Sequence, residues 1–309
     1  MAEWQPEREV VLLAGTPAGG GQDRPARALL AILAERGLVP TPMTLANIPG
    51  RGGGNAWDDL SSHPGEAHRL AINSPTILSN RVTGLSGLAW ESLTPLCNLY
   101  TEHLAFIVRP DSAIRDAGGL MQRLGKDTAG LPVALATAIG NANHIALAHL
   151  TRHAGGRVKA LDLAVFDSAR DAIAHVLAGH AELGVITAAS PVPELTAGTA
   201  RCLAVSAPAR MAGVYAGVPT WREVGLDLVA GPWRGVIGPA GLAPGEVAFW
   251  ERALRAATAT AAWRDELERR HWSDTFLTGE ALRAFLREED ATMAAELRAL
   301  GLTQASPPD

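Results

Sequence analysis

Two segments of this chain share one arrangement: a short apolar run, a turn of small residues, then apolar residues at helical spacing. That arrangement constrains the fold more than any other feature. Each copy reads as strand, loop and helix start, and strands alternating with helices specify parallel sheet built through right-handed crossovers. The first copy runs Val10-Val11-Leu12-Leu13-Ala14, then Pro17-Ala18-Gly19-Gly20-Gly21-Gln22-Asp23, then Ala26, Leu29, Leu30 and Leu33. Asp23 is expected as the helix N-cap, with Pro25 tolerated in the first turn. The second copy is a strand over 133–136, the turn Thr137-Ala138-Ile139-Gly140-Asn141-Ala142-Asn143, and a helix carrying Ile145, Leu147, Ala148 and Leu150. Further strands are expected over 44–46, 70–72 (ending at Asn73-Ser74-Pro75), 104–108, 158–165, 183–186 and 202–205. Helices are expected over 168–177, 244–258, 261–270 and 279–300, so that the C-terminal segment is helical.

The 309 residues suffice for one large domain or two lobes, and 47% apolar content supplies a substantial core. Basic residues number 27 against 32 acidic, a net charge of −5, so no cationic excess exists to neutralise a nucleic acid. No run approaches the roughly 18 apolar residues of a spanning helix. The first residues lack the basic-then-apolar pattern of a secretory leader, which leaves a cytosolic protein or a leader already removed. Two cysteines, Cys97 and Cys202, exclude a disulfide scaffold and a cysteine metal cluster, and both are expected to be buried thiols. The tryptophans are expected as core anchors, and Glu288-Glu289-Asp290 as a solvated helix face.

The glycine turns can serve as tight strand–helix connections or as anion sites. Glycine admits close approach to the backbone, and unpaired N–H groups at a helix start attract a carboxylate or phosphate with no cationic side chain. Nucleotide-type readings fail on detail: after Gly15-x4-Gly20 come Gly21-Gln22, where a phosphate-binding loop needs lysine and Ser/Thr. No Gly-x-Ser-x-Gly elbow occurs. His149 and His153 have metal-compatible spacing without the accompanying glutamate, and they read as a solvated face. His144 stands at the start of its helix beside the turn, open to capping, packing or service as a general base.

Several ordered motifs resemble the solute-binding proteins of tripartite tricarboxylate transporters, the Bug family. They are Pro17-Ala18-Gly19-Gly20-Gly21-Gln22-Asp23 with Arg27, Asn47-x-Pro49-Gly50-x-Gly52-Gly53, and Gly140-Asn141-Ala142-Asn143-His144-Ile145-Ala146. Val218-Pro219-Thr220-x-x-Glu223-x-Gly225-Leu226 follows, then Trp233-x-Gly235 and Pro239-Ala240-Gly241. The resemblance implies an α/β, two-lobed periplasmic-binding-protein fold of type II, a Venus flytrap with mainly parallel sheets. Lobe one would comprise 1–100 with 225–309, lobe two 101–224, and the ligand cleft would lie between them.

The resemblance also implies a function: capture of a small organic carboxylate in the periplasm and delivery to the membrane subunits of a tripartite transporter. No catalysis, cofactor or metal is expected, and the protein is expected to be a monomer. By resemblance, the ligand-binding residues are Gly19, Gly20, Gly21, Gln22 and Asp23 on one side, with Asn73 and Ser74. On the other they are Ala138, Ile139, Gly140, Asn141, Ala142, Asn143 and Asp167. Asp23 would repel a carboxylate and is expected to fix the loop rather than touch the ligand. Two segments depart from the family pattern, Pro64-Gly65-Glu66-Ala67-His68-Arg69-Leu70 and Phe166-Asp167-Ser168-Ala169. Asp167 stands where the family carries lysine, so ligands other than tricarboxylates come into view. Two alternatives are an enzyme on the same architecture with His144 as general base, and a ligand-presenting sensor.

Overall fold

The computed structural model describes residues 3–136, 138–166 and 168–303. Along the chain the elements are β1 (Val10–Ala14), α1 (Asp23–Glu35), β2 (Met43–Asn47), α2 (Gly54–Ser61), β3 (Arg69–Asn73), α3 (Thr76–Val82) and β4 (Thr94–Glu102). Then come β5 (Leu104–Val108), α4 (Ala117–Lys126), β6 (Pro132–Ala136), α5 (Ala142–His153), β7 (Asp162–Phe166), α6 (Ala169–Leu177), β8 (Leu183–Thr187), α7 (Val192–Thr196) and β9 (Arg201–Val205). The chain closes with β10 (Trp233–Gly238), α8 (Pro244–Thr258), α9 (Ala261–Arg269), β11 (Trp272–Leu277) and α10 (Gly279–Ala299).

Two compact units result: residues 1–101 with 233–309, and residues 102–232. Among the described residues, unit 1 holds a sheet of order β11-β4-β10-β3-β1-β2 and unit 2 a sheet of order β7-β6-β8-β5-β9. The segment 225–232, assigned to lobe one from the sequence, falls in unit 2 because Leu226 and Leu228 pack into that unit's core beside Trp221.

The sheets are mixed rather than mainly parallel. β1 pairs in parallel with β2 and β3, as β6 does with β7 and β8. β10 runs antiparallel to β3 and β4, and β5 antiparallel to β8 and β9. β5 and β10 each enter a unit from the other one, so no crossover helix dictates their direction. The C-terminal segment is likewise not wholly helical, since β11 sits between α9 and α10. The stretch read as one strand over 158–165 opens with a short 3-10 turn, Val158–Ala160, before β7.

β1 is apolar throughout because it lies inside a sheet covered on both faces; Val10, Leu12, Leu13 and Ala14 are buried. α1 buries Ala26, Leu29 and Leu33 on that sheet as read from the sequence, with Ile32 buried beside them and Leu30 only partly so. The core continues through Tyr100, whose ring stacks on Trp272 at 3.8 Å, and through Trp250 and Trp263. In unit 2, β5 alternates: Phe106 faces a cluster with Leu147, Leu150 and Trp221, while Ala105 and Ile107 face Val176, Ile186 and Tyr215. The tryptophans do anchor the cores. The acidic run is not simply solvated, because Glu289 accepts a hydrogen bond from Trp233 Nε1 at 3.0 Å and Asp290 pairs with Arg81 at 2.6 Å. Cys97 is a buried free thiol as expected and Cys202 a half-buried one, and desolvation pushes both upward in pKa, Cys202 to about 12.

Candidate functional site

In unit 1 the turn between β1 and α1 is tied by its own side chains. Thr16 Oγ1 accepts the N–H of both Gln22 and Asp23 at 3.3 Å. The Gly20 N–H donates to Pro17 O at 2.9 Å. Asp23 is not the N-cap; Gln22 holds that position and makes no side-chain cap, because Thr16 supplies the acceptor from outside the helix. Asp23 instead opens the helix and reaches back. Its Oδ2 accepts the Gly19 N–H at 2.8 Å and Arg27 Nε at 2.9 Å, and its Oδ1 accepts Asn47 Nδ2 at 2.9 Å. The same Asn47 nitrogen donates to Thr16 O at 2.8 Å. Burial opposes charge on Asp23, yet Arg27, the Gly19 N–H and Asn47 together outweigh it and hold the carboxyl below its ordinary range.

Gln22 and Ser74 form the floor of this turn. The buried Gln22 amide accepts the Gly15 N–H at 2.8 Å and donates to Ser74 Oγ at 3.4 Å. Asn73 Oδ1 accepts the Ser74 N–H at 2.9 Å, and Ser74 Oγ meets Thr76 Oγ1 at 2.7 Å. Gly19 has φ +79°, a left-handed backbone that glycine adopts without strain. Gly19 and Gly21 are exposed. Of the turn's amides, that of Gly21 has no hydrogen-bond partner among the described residues.

In unit 2 the turn before α5 is built on Asn141 and His144. Asn141 caps the helix: its side-chain oxygen accepts the His144 N–H at 3.1 Å, and its Nδ2 donates to Ala136 O at 2.6 Å. The Gly140 N–H donates to His144 Nδ1 at 3.0 Å. That bond fixes the neutral tautomer with hydrogen on Nε2, and burial keeps the imidazole below its ordinary pKa. A ring whose basic nitrogen already accepts a backbone N–H is not placed to take a substrate proton. Asn143 faces inward, its Nδ2 donating to Val185 O at 2.7 Å. The backbone N–H groups of Ala142 and Asn143, at the first positions of α5, have no partner among the described residues. Ile139 stands beside them, 44% exposed.

The structure thus gathers Gly19–Asp23 with Asn73 and Ser74 in unit 1, and Ala138–Asn143 in unit 2. Asp167 lies outside the described residues. Sequence reasoning gave no role to Thr16 or Asn47, and it missed Arg234, whose Nε donates to Gly21 O at 3.1 Å. The sequence reading required no cation at these turns, yet the structure sets one against Gly21. Among the described residues no group of three or more His, Cys, Asp or Glu is placed to hold a metal ion, and no helix is long and apolar enough to cross a membrane.

Two mixed α/β units joined by two chain crossings, each with an amide-bearing turn at a helix start, make up a two-unit α/β architecture. A TctC solute-binding protein from Polaromonas shares that fold, with a TM-score of 0.81, 24% identity and coverage of 95% of this chain and 99% of the other. A Rhodopseudomonas palustris protein solved with adipate matches with a TM-score of 0.80 at 19% identity, covering 96% and 99%. MatC from the same organism, solved with bound malate, matches with a TM-score of 0.74 at 22% identity, covering 94% and 99%. The family model described as the tripartite tricarboxylate transporter family receptor matches residues 39–302, and the chain belongs to that family.

Proposed function

We propose that this protein is a periplasmic receptor that binds a small organic carboxylate and hands it to the membrane subunits of a tripartite transporter, catalysing no reaction. The observation that carries this reading is the start of α5, where the Ala142 and Asn143 N–H groups stand uncommitted beside the half-exposed Ile139. Two aligned amides with the helix dipole suit an anionic head group, and Ile139 suits an organic body. The malate and adipate held by two fold relatives agree with that chemistry.

In this reading the Gly21 amide is the second donor site. Gly19, Gly20, Gln22, Asp23, Asn73 and Ser74 shape the turn of unit 1, and Ala138, Gly140 and Asn141 that of unit 2. Micromolar affinity corresponds to about −8 kcal/mol, within reach of a few such bonds plus burial of an alkyl or aryl body. The engaged Nδ1 of His144 disfavours the enzyme alternative.

A thermal-shift series with malate, adipate, citrate and benzoate at fixed pH tests the proposal. A true ligand at 100 times its Kd adds about 2.7 kcal/mol of stability. A protein that no organic acid stabilises would not be a carboxylate receptor.

A further inference from the structure

In unit 2 the C-terminal ends of α4 and α5 meet. A Cβ added to Gly125 would fall 2.3 Å from Ala154 O, and the Arg157 N–H donates to Thr128 Oγ1 at 3.2 Å. This packing brings Lys126, His153, Arg157 and Lys159 into one neighbourhood, all four exposed. Residues 128–161 contain no Asp or Glu, and the two lysines are the only ones in the chain. Asp127 beside Lys126 is bonded to Arg123 at 2.8 Å, and Glu182 lies 4.0 Å from the same guanidinium; Asp162, at the start of β7, is the next acid along the chain. Arginines elsewhere pair with carboxylates, as Arg69 does with Asp59 and Arg270 with Glu266. Lys126, Arg157 and Lys159 have no ion-pair partner among the described residues. Cations in a last helical turn complement the helix dipole, which accounts for Lys126 and His153. It does not account for Arg157 and Lys159, which stand beyond α5, Lys159 on the 3-10 turn Val158–Ala160.

We propose that this basic patch docks unit 2 on anionic phospholipid headgroups. Between Arg123 and Leu161 the one large apolar side chain exposed among the described residues is Ile139, at the other end of α5. A protein interface takes an apolar core, which this patch lacks; hydrated lysines and an unpaired arginine suit a headgroup layer met through water. The chain as a whole is anionic, but at about 0.15 M salt charges more than about 8 Å away are largely screened, so distant acids do not cancel the patch. The 12 residues of α5 set it about 18 Å from the uncommitted amides at that helix's start, which stay open to solvent when the patch is engaged. The proposal is independent of the carboxylate reading above.

The test is co-sedimentation of the full chain with vesicles of phosphatidylglycerol and phosphatidylcholine in equal parts, against phosphatidylcholine alone. Wild type should partition onto the mixed vesicles in preference to the neutral ones, and less so as salt rises. Each cation held near an anionic surface is worth about a fivefold factor, so Lys159→Gln alone should lower the partition about fivefold, and Lys126→Gln, Arg157→Gln and Lys159→Gln together roughly a hundredfold. A control with the same loss of charge in unit 1, Arg36→Gln with Arg283→Gln and Arg298→Gln, removes three exposed cations away from the patch and should bind nearly as wild type does. Equal partition of wild type onto the two kinds of vesicle overturns the inference. So does a patch variant that binds like wild type, or one that loses no more than the control. Capture on immobilised polyglutamate without vesicle binding overturns the lipid assignment in favour of an acidic protein surface. None of these outcomes touches the receptor reading, which stands or falls on the acid series.

Discussion

Asp23→Asn is the substitution whose cost the structure lets one work through. The carboxylate is buried, at 1% exposure, and accepts from three donors: Gly19 N–H, Arg27 Nε and Asn47 Nδ2. An amide offers one acceptor oxygen and one NH2. If the oxygen stays with Gly19 and Arg27, the NH2 confronts the NH2 of Asn47. Asn47 cannot turn over to relieve this, because its nitrogen also donates to Thr16 O, and turning would set oxygen against oxygen. One hydrogen bond to a charged acceptor is lost, about 1.5 kcal/mol, and the Gly19 bond falls from charge-assisted to neutral, about 1 kcal/mol more. The exposed Arg27 pair adds little. The sum is about 2–3 kcal/mol, or roughly 4–12 °C in the melting point of unit 1.

Calorimetry across pH checks the sign as well as the size. The folded Asp23 pKa lies below its ordinary 3.8, so its contribution is present above that value and is lost as pH falls through the folded one. The gap between wild type and variant should be full at pH 7 and close in strong acid. A variant that melts with wild type at pH 7, or a gap that persists in acid, refutes the account of how this turn is held.

Gly20→Val should abolish adipate binding with little global unfolding. Its Cβ would sit 2.6 Å from the Thr16 Oγ1 that anchors Gln22 and Asp23; unchanged titration heats would remove the turn from the site. His144→Ala should cost about 1–3 kcal/mol by orphaning the Gly140 N–H, which urea unfolding measures. Because burial depresses the His144 pKa, the wild-type contribution is present above pH 6.5 and lost as pH falls through the folded value, so wild type and variant should converge in acid. Glu289→Gln should raise the melting point at pH 7.5 and change it little near pH 4. Burial raises the folded Glu289 pKa above 4.5, so ionised Glu289 costs stability as pH rises through that value; a neutral or lower melting point at pH 7.5 counts against this.

The two strand–turn–helix copies were legible because β1 and β6 are buried on both faces and spell continuous apolar runs. β4 was not legible as a strand, since Pro95, Asn98 and Thr101 interrupt its pattern; Asn98 Nδ2 donates to Thr275 O, far along the chain. β11 carries Ser273, Asp274 and Thr275 at the sheet edge and follows a helix without a break signal. Strand direction was misjudged because β5 and β10 owe theirs to the chain crossings, which leave no local mark. The turns themselves could be read from their small residues. Their tethers could not: the Thr16 hydroxyl does the capping that Asp23 seemed suited for, and Arg234 meets Gly21 across 213 residues of sequence.

The tethering of the first turn bears on speed. Thr16, Asp23, Asn47 and Gln22 hold its backbone through bonds made inside the protein, so nothing in it waits for a ligand to become ordered. In the proposed reading, the turn would then meet its ligand already shaped by these internal bonds, with little of its affinity forfeited to ordering. In that reading its share of the association rate would be set by diffusion rather than by a folding step.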